Sequence, residues 1–352
     1  MAEPDAGDVS DSAAAASKLM GIIAAGWMSQ AISVTAELKI ADLLAEGAKT
    51  SEELALVTGA HASSLHRLMR ALVTAEILRQ RTDGAFEVTP MGSLLSSGAE
   101  YSVRSWAIHC GRRLSRDWAA LLDSVKTGES ARKLLAGRGI FEDLERDPEQ
   151  AAIFNQAMVE LTHLAADGIV HAYDFSAMKR IVDVGGGYGQ LLAAILKANP
   201  GVHGTVFDLP HAAENGRRYL ADIGLAERCD FLAGNFFESV PSGGDAYVLK
   251  SVMHNWTDER AQVILQCCKR AMAGRGKLLV VDRIVPQRLE ASAAHRAIAL
   301  MDLNMLVVLG ARERTEEEFR ALLSSAGFRV TRILPATPTL SIIEAAPSSS
   351  TS

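Results

Sequence analysis

The sequence is short of several things, and each shortage closes off a class of protein. Only four cysteines occur in 352 residues, at positions 110, 229, 267 and 268. They are too few and too scattered for a disulfide framework, and no Cys-x-x-Cys spacing offers a metal site. They read as buried reduced thiols of a cytoplasmic protein. Basic residues are also in deficit: 36 Lys and Arg against 42 Asp and Glu leave a net charge of −6. Phosphate backbones are bound by clustered Lys and Arg, so this balance argues against a nucleic-acid partner. No basic-then-apolar leader opens the chain; residues 1–17, largely Ala, Asp and Ser, read as a disordered tail. Long apolar runs are missing too. The longest, 21–36 and 297–310, are broken by Ser and Gln or by Asp302 and Asn304, and both fall short of spanning a membrane. What remains is 48% hydrophobic and 22% charged, ordinary for a globular chain of two domains or one large one.

One further absence is informative. The β-branched run Ile181–Val184 drives into glycines at 185, 186, 187 and 189, and residues 190–197 are apolar at helical spacing. This is strand, tight turn and helix, the opening unit of a doubly wound sheet. A dinucleotide fingerprint would need a third glycine where Gln190 stands. The pattern present is Gly-x-Gly-x-Gly with Asp183 before it, which suits a nucleoside bearing an amino-acid tail and no pyrophosphate: S-adenosylmethionine. Asp183 can hold its ammonium group, and glycines let the backbone take positive φ or touch a ligand. Asp208, nineteen residues past Gly189 at the end of the next strand, can bond both ribose hydroxyls. The competing reading makes the glycines a plain turn and Asp208 a cap.

Residues 18–98 read as a helical module with helices near 18–38, 38–46, 51–58 and 62–75. Two short strands, 77–79 and 85–89, follow about a Thr82-Asp83-Gly84 turn. Helices followed by a two-stranded wing make a winged helix. Its segment 63–70 can be taken for a DNA-recognition helix, or the module can bury 18–36 against a twin subunit. Residues 99–176 read as all-helical, with 137–144 and Asp147-Pro148 as loop punctuation. On the last of these helices Phe154, Met158 and Thr162 can line a cleft or, for Phe154, simply pack a core. From 177 to 346 strands alternate with helices: 180–184, 204–208, 229–233, 245–249 and 276–282, then a final pair, 328–334 and 339–345. The result is an α/β Rossmann-like sheet, mostly parallel with an antiparallel last strand. Residues 347–352 read as a loose tail.

Ligands of such sheets sit beyond the C-terminal strand ends. His254 lies just past one, on the same rim as the glycines and Asp208, and before the helix that Thr257 would cap. Asp258 and Glu259 then fall in the first helical turn and serve its dipole. Farther on, Thr315 and Glu318 form a capping box, which leaves Glu313 in the preceding loop. There it can orient His254 by accepting its Nδ1–H, or pair with Arg312 or Arg314.

Together the blocks Asp183–Gly189, Asp208-Leu-Pro, Leu249-Lys250, His254-Asn-Trp-Thr-Asp-Glu259 and 312–319 resemble the small-molecule O-methyltransferase family. That family includes caffeate and hydroxyindole enzymes and bacterial enzymes that tailor aromatic antibiotics. The resemblance runs from about residue 18 to 346. It implies a homodimer joined by the winged-helix domain, S-adenosylmethionine as cofactor and a hydroxylated aromatic or polyketide-type acceptor. By the same likeness His254 is the base, flanked by Glu313. The cofactor is held by Asp183, Gly185, Gly187, Gly189, Asp208, Lys250, Thr162 and the Asn235-Phe236 pair near the adenine. Phe154, Met158, Met301, Asn304 and Met305 line the acceptor pocket, and Asn255, beside the base, is grouped with them. Many members carry Asp where this chain has Asn255, and likewise at Asn235; the loss of charge argues against a metal. C-methylation, a non-methylating relative, a winged-helix regulator that senses S-adenosylmethionine and an NAD-linked oxidoreductase are the alternatives.

Overall fold

The structure is a computed structural model that describes residues 6–348. It divides into two compact units, residues 1–115 and 116–352, so the expected helical linker of 99–176 is not one body.

The first unit opens on a helix, Ala6–Glu37. Residues 6–17, expected to be disordered, are helical because the Ala13–Ala16 run carries the highest helix propensity available. The stretch Asp11–Glu37 is, by length and composition alone, long and apolar enough to cross a membrane. This corrects the expectation of a run too interrupted to do so. Helices Ile40–Ala45, Ser51–Thr58 and Ala62–Thr74 follow. Helix Ser51–Thr58 starts at a Thr50–Glu53 capping box and stops at Gly59, whose φ of 70° only glycine adopts freely. Strands β1 (Leu78–Gln80) and β2 (Phe86–Val88) pair antiparallel as the wing. Leu54, Leu65, Met69, Leu72 and Phe86 bury between wing and helices. Helix Arg104–His109 and a π-helical turn, Cys110–Leu114, complete the unit.

In the second unit, helix Ile140–Arg146 occupies part of the stretch expected as loop. The same reading missed that Asp147 and Pro148 start the long helix Pro148–Ala172. Asp147 accepts from the Gln150 amide, and proline is tolerated at the first helical position because its missing N–H has no partner there. The sheet has seven strands. They are β3 (Arg180–Val184), β4 (His203–Asp208), β5 (Cys229–Ala233), β6 (Ala246–Lys250) and β7 (Lys277–Asp282), with β10 (Phe328–Pro335) and β11 (Ser341–Pro347) at the end of the chain. Between them a short parallel pair forms from β8 (Ile284–Val285) and β9 (Arg314–Thr315). The sheet order is β10-β11-β7-β6-β3-β4-β5. Strand β11 is antiparallel to both neighbours and the remaining pairings are parallel. Residue 347 ends β11 rather than opening a loose tail; residues 349–352 lie outside the described part.

One apolar core lies under helices Pro148–Ala172, Gln190–Ala198 and Pro210–Asp222. A second lies on the other face under Asp258–Met272 and Glu316–Ser325. Chain order reverses between neighbours β3 and β6, so the crevice of a doubly wound sheet opens where the glycine loop and the Lys250–His254 segment leave those strands.

Away from that rim, buried Glu344 accepts from Tyr173 Oη (2.5 Å), Thr331 Oγ1 (2.6 Å), Lys277 Nζ (3.1 Å) and Arg332 Nη2 (3.0 Å). Burial alone would raise its carboxyl, but these donors outweigh it and hold it down to about 2. A depressed carboxylate stabilises the fold above its unfolded value and loses that contribution as pH falls toward its folded one. We expect E344Q to cost on the order of 2–3 kcal/mol at neutral pH, seen as a lower Tm. The gap to wild type should close as pH falls from about 4.5 toward 2; a constant gap would show that charge plays no part.

Candidate active site

The cofactor half of the site grows from β3. Gly185, Gly187 and Gly189 take φ of 75°, 60° and 91°, values that disfavour any side chain. A Cβ on Gly185 would meet Phe236 at 3.5 Å, so that ring stands over the loop; the space beside Gly187 is open. Asp208 Oδ2 accepts from Gly187 N (2.7 Å) and Oδ1 from Leu209 N (2.6 Å), which fixes the carboxylate at the loop. Asp183 is buried, and its Oδ1 has no hydrogen-bond partner among the described residues. Burial pushes its carboxyl up to about 7, and Asp208 adds to this while Lys250 opposes it. Burial likewise pulls Lys250 down to about 8. Lys250 Nζ donates to Thr162 Oγ1 (3.1 Å), which donates in turn to Met158 O (2.7 Å). An orphaned carboxylate oxygen beside an open glycine cradle fits a ligand with a cationic amino-acid end. Asn235 Nδ2 donates to Glu238 Oε1 (2.9 Å) and Oδ1 accepts from Phe237 N (3.0 Å), so its side chain is bonded within its own turn.

The acid–base half hangs from β6. A short 3₁₀ turn, Met253–Asn255, buries His254. His254 Nδ1 lies 3.0 Å from Glu313 Oε1 and 3.1 Å from Asp282 Oδ1. Carboxylates only accept, so Nδ1 carries the hydrogen and Nε2 is the nitrogen left for chemistry. Burial lowers the imidazole pKa, but the two anions overcome it and raise it to about 9; the same pairing holds Asp282 below its ordinary value. Asp282 Oδ2 also accepts the His254 amide (3.3 Å). Glu313 is placed by its own amide, which donates to Asp302 Oδ1 (2.8 Å), and by Arg283 Nη1 (3.4 Å).

Glu313 therefore meets the imidazole, and among the described residues it forms no ion pair with Arg312 or Arg314. Arg312 binds Glu318 and Asp258. Arg314, 1% exposed, donates to Met253 O (2.7 Å), Trp256 O (2.8 Å) and Asp258 Oδ1 (2.8 Å), pinning the turn that carries His254. Asp258 thus ties the turn in addition to its place at the helix start. Thr257 is the N-cap residue, but its hydroxyl makes no cap bond, whereas Thr315 and Glu318 form the expected box. His254, Asp282 and Glu313 present ligand atoms within 4.8 Å of one another, close enough for a metal ion.

Met301, Asn304 and Met305 lie one helical turn apart on helix Ala293–Leu309. Trp118 Nε1 donates to Asn304 Oδ1 (2.9 Å). An indole nitrogen can only donate, so the amide orientation follows, and Asn304 Nδ2 is left with Met301 Sδ at 3.8 Å. Phe154 and Met158 stand on the helix that bears Thr162. Asn255 Nδ2 donates to Ser251 O (3.1 Å). The sequence reading missed Asp282, Arg314 and Trp118. Asp282 was legible as an acid closing a strand on the catalytic rim; Arg314 sat inside a charged run that reads as solvated.

Comparison with known proteins agrees with this geometry. The model of the O-methyltransferase domain matches residues 118–329 and that of the O-methyltransferase dimerisation domain residues 20–98. A phenazine O-methyltransferase of Lysobacter antibioticus is 41% identical over 94% of this chain and 95% of its own. An aclacinomycin 10-hydroxylase of Streptomyces purpurascens is 38% identical over 84% of this chain and 80% of its own. Among solved structures, an O-methyltransferase from neocarzinostatin biosynthesis, in complex with S-adenosylmethionine and 2-hydroxy-5-methyl naphthoic acid, superposes with a TM-score of 0.77 at 34% identity, covering 91% of this chain and 96% of that one. The glycine cradle, the imidazole beyond β6 and these likenesses together make the chain a member of the O-methyltransferase family, an S-adenosylmethionine-dependent enzyme.

Proposed function

We propose that the enzyme methylates a hydroxyl of an aromatic or polyketide-type small molecule, with His254 as general base. The observation that carries this is the buried Nδ1–H held between Asp282 and Glu313. It sets one tautomer and leaves Nε2, which makes no hydrogen bond among the described residues, as the proton acceptor. Asp183, the glycines, Asp208, Lys250, Thr162 and Phe236 would hold the cofactor. Bound S-adenosylmethionine supplies a methyl group on a sulfonium with a neutral leaving group, so the protein has no need to activate the methyl.

His254 removes the proton as the hydroxyl attacks. A conjugate acid raised to about 9 lies close to a phenol at about 10, so the transfer is nearly balanced. The cost falls on population: at pH 7.5 only about 3% of such an imidazole is neutral. Alignment and exclusion of water supply the rest of the rate. Phe154, Met158, Met301 and Met305 form the apolar wall of the acceptor pocket. Asn304, its oxygen held by Trp118, offers its N–H groups to an acceptor oxygen or ring nitrogen. No metal is assigned to the reaction: the Nδ1 hydrogen already lies between the two carboxylates, and Arg283 offsets one of their charges.

The exposed stripe Leu19, Met20, Ile22, Ile23 and Trp27 on the first helix is covered in a homodimer, the enzyme being cytoplasmic and bound to neither membrane nor nucleic acid. The kinship with a hydroxylase keeps a second reading, a relative on this fold that does not methylate oxygen. Mass spectrometry of products from labelled S-adenosylmethionine over phenolic, indolic, quinone and polyketide acceptors decides between them.

H254Q should lose turnover at least a hundredfold with S-adenosylmethionine affinity nearly unchanged by calorimetry, and wild-type activity should withstand a chelator. Full activity in H254Q ends the base assignment. The kcat/KM of wild type should rise with pH toward about 9. In E313Q one anion beside the imidazolium is gone, so the limb moves to lower pH while the plateau falls; an unmoved limb removes Glu313 from the base. Trp27→Asp should shift the protein from dimer to monomer in light scattering, and a variant that stays dimeric sinks the proposed interface.

A further inference from the structure

Among the described residues, four non-glycine positions have left-handed backbone: Lys39, Glu76, Ser251 and Ala273. One of them, Ser251 with φ of 54°, is at the tip of β6, between Lys250 and the turn that carries His254. A serine there is held in a conformation that its Cβ disfavours, whereas glycine costs almost nothing. Such a backbone persists only where its surroundings hold it. On one side the Ser251 amide donates to Val281 O (2.9 Å) on β7. On the other its carbonyl accepts from Asn255 Nδ2 (3.1 Å). A carbonyl can only accept, so the amide nitrogen of Asn255 faces it. The turn is then closed by Asn255 N to Val252 O (3.2 Å), Trp256 N to Met253 O (3.3 Å) and His254 N to Asp282 Oδ2 (3.3 Å).

We infer that Asn255 is a positioning residue: its side-chain amide latches the left-handed Ser251 and so sets the turn that aims both Lys250 and His254. Lys250 and His254 leave the same five-residue bend in opposite roles, one toward Thr162 and the other toward the two carboxylates. If the Ser251 peptide rotated back to a relaxed conformation, both would move together. The latch needs a donor. An aspartate at 255 would set acceptor against acceptor. The inference rests on His254 acting as the base only for the size of the kinetic effect.

The test is a double-mutant cycle on the full-length enzyme: wild type, N255A, S251G and S251G/N255A, with N255D beside them. Glycine needs no latch, so the cycle separates latching from every other role of Asn255. N255A should lower kcat by about ten- to thirtyfold in the serine background and less than about threefold in the glycine background. Acceptor KM should change little in either, and N255D should resemble N255A. Two results overturn the inference: an N255A kcat within about twofold of wild type, or an equal loss in both backgrounds. A raised acceptor KM in both backgrounds means instead that Asn255 contacts the acceptor. If N255A fails to fold, a soluble and active S251G/N255A supports the latch and an equally insoluble one refutes it. The outcome is independent of H254Q, whose full activity would end the base reading and leave this cycle interpretable.

Discussion

The site depends on one desolvated proton, the Nδ1 hydrogen of His254 shared by Asp282 and Glu313. Two buried anions without a cation would be costly, and so would an imidazolium alone in the same place. Together they are tolerable, and the remaining charge is met by Arg283. The arrangement explains why the imidazole pKa rises despite burial. It also explains why the surrounding backbone is so fully bonded: a loose turn would admit water and dissolve the pairing.

Three distant parts of the chain supply that arrangement. Asp282 ends β7, His254 follows β6, and Glu313 comes after helix Ala293–Leu309. The β8–β9 bridge pairs Ile284 with Arg314 and Val285 with Thr315, which brings the two carboxylates to one imidazole nitrogen. Strand order places the turn and Asp282 side by side through β6–β7 pairing, with Lys250 opposite Val281. The doubly wound topology thus gathers the glycine loop and the His254 imidazole along one rim, as the general rule for such sheets requires.

Much of this was legible in the residues, for identifiable reasons. The strand at 180–184 follows from a β-branched run ended by glycines, and that at 229–233 from a short, largely apolar stretch ended by Gly234. The Thr315–Glu318 box marked its helix start because the motif is local. Failures came where local composition and long-range placement diverged. The alanine-rich start reads as disorder by composition yet propagates a helix. Asp147-Pro148 reads as punctuation but is a cap followed by the one helical position proline suits. Arg314 is invisible to any local rule, since nothing in Arg312-Glu-Arg-Thr says which arginine is buried and which is exposed. Only the carbonyls of Met253 and Trp256, brought there by the fold, decide it.

The segment from Glu313 to Thr315 has a further consequence. Three successive side chains carry separate duties: one faces the imidazole, the next ties the β6 turn, and the third caps helix Glu316–Ser325. Inserting or deleting a single residue here would throw all three out of phase at once. A substitution on the neighbouring helices, by contrast, changes one side chain without shifting the next. The short bridge is the part of the molecule least free to vary in length.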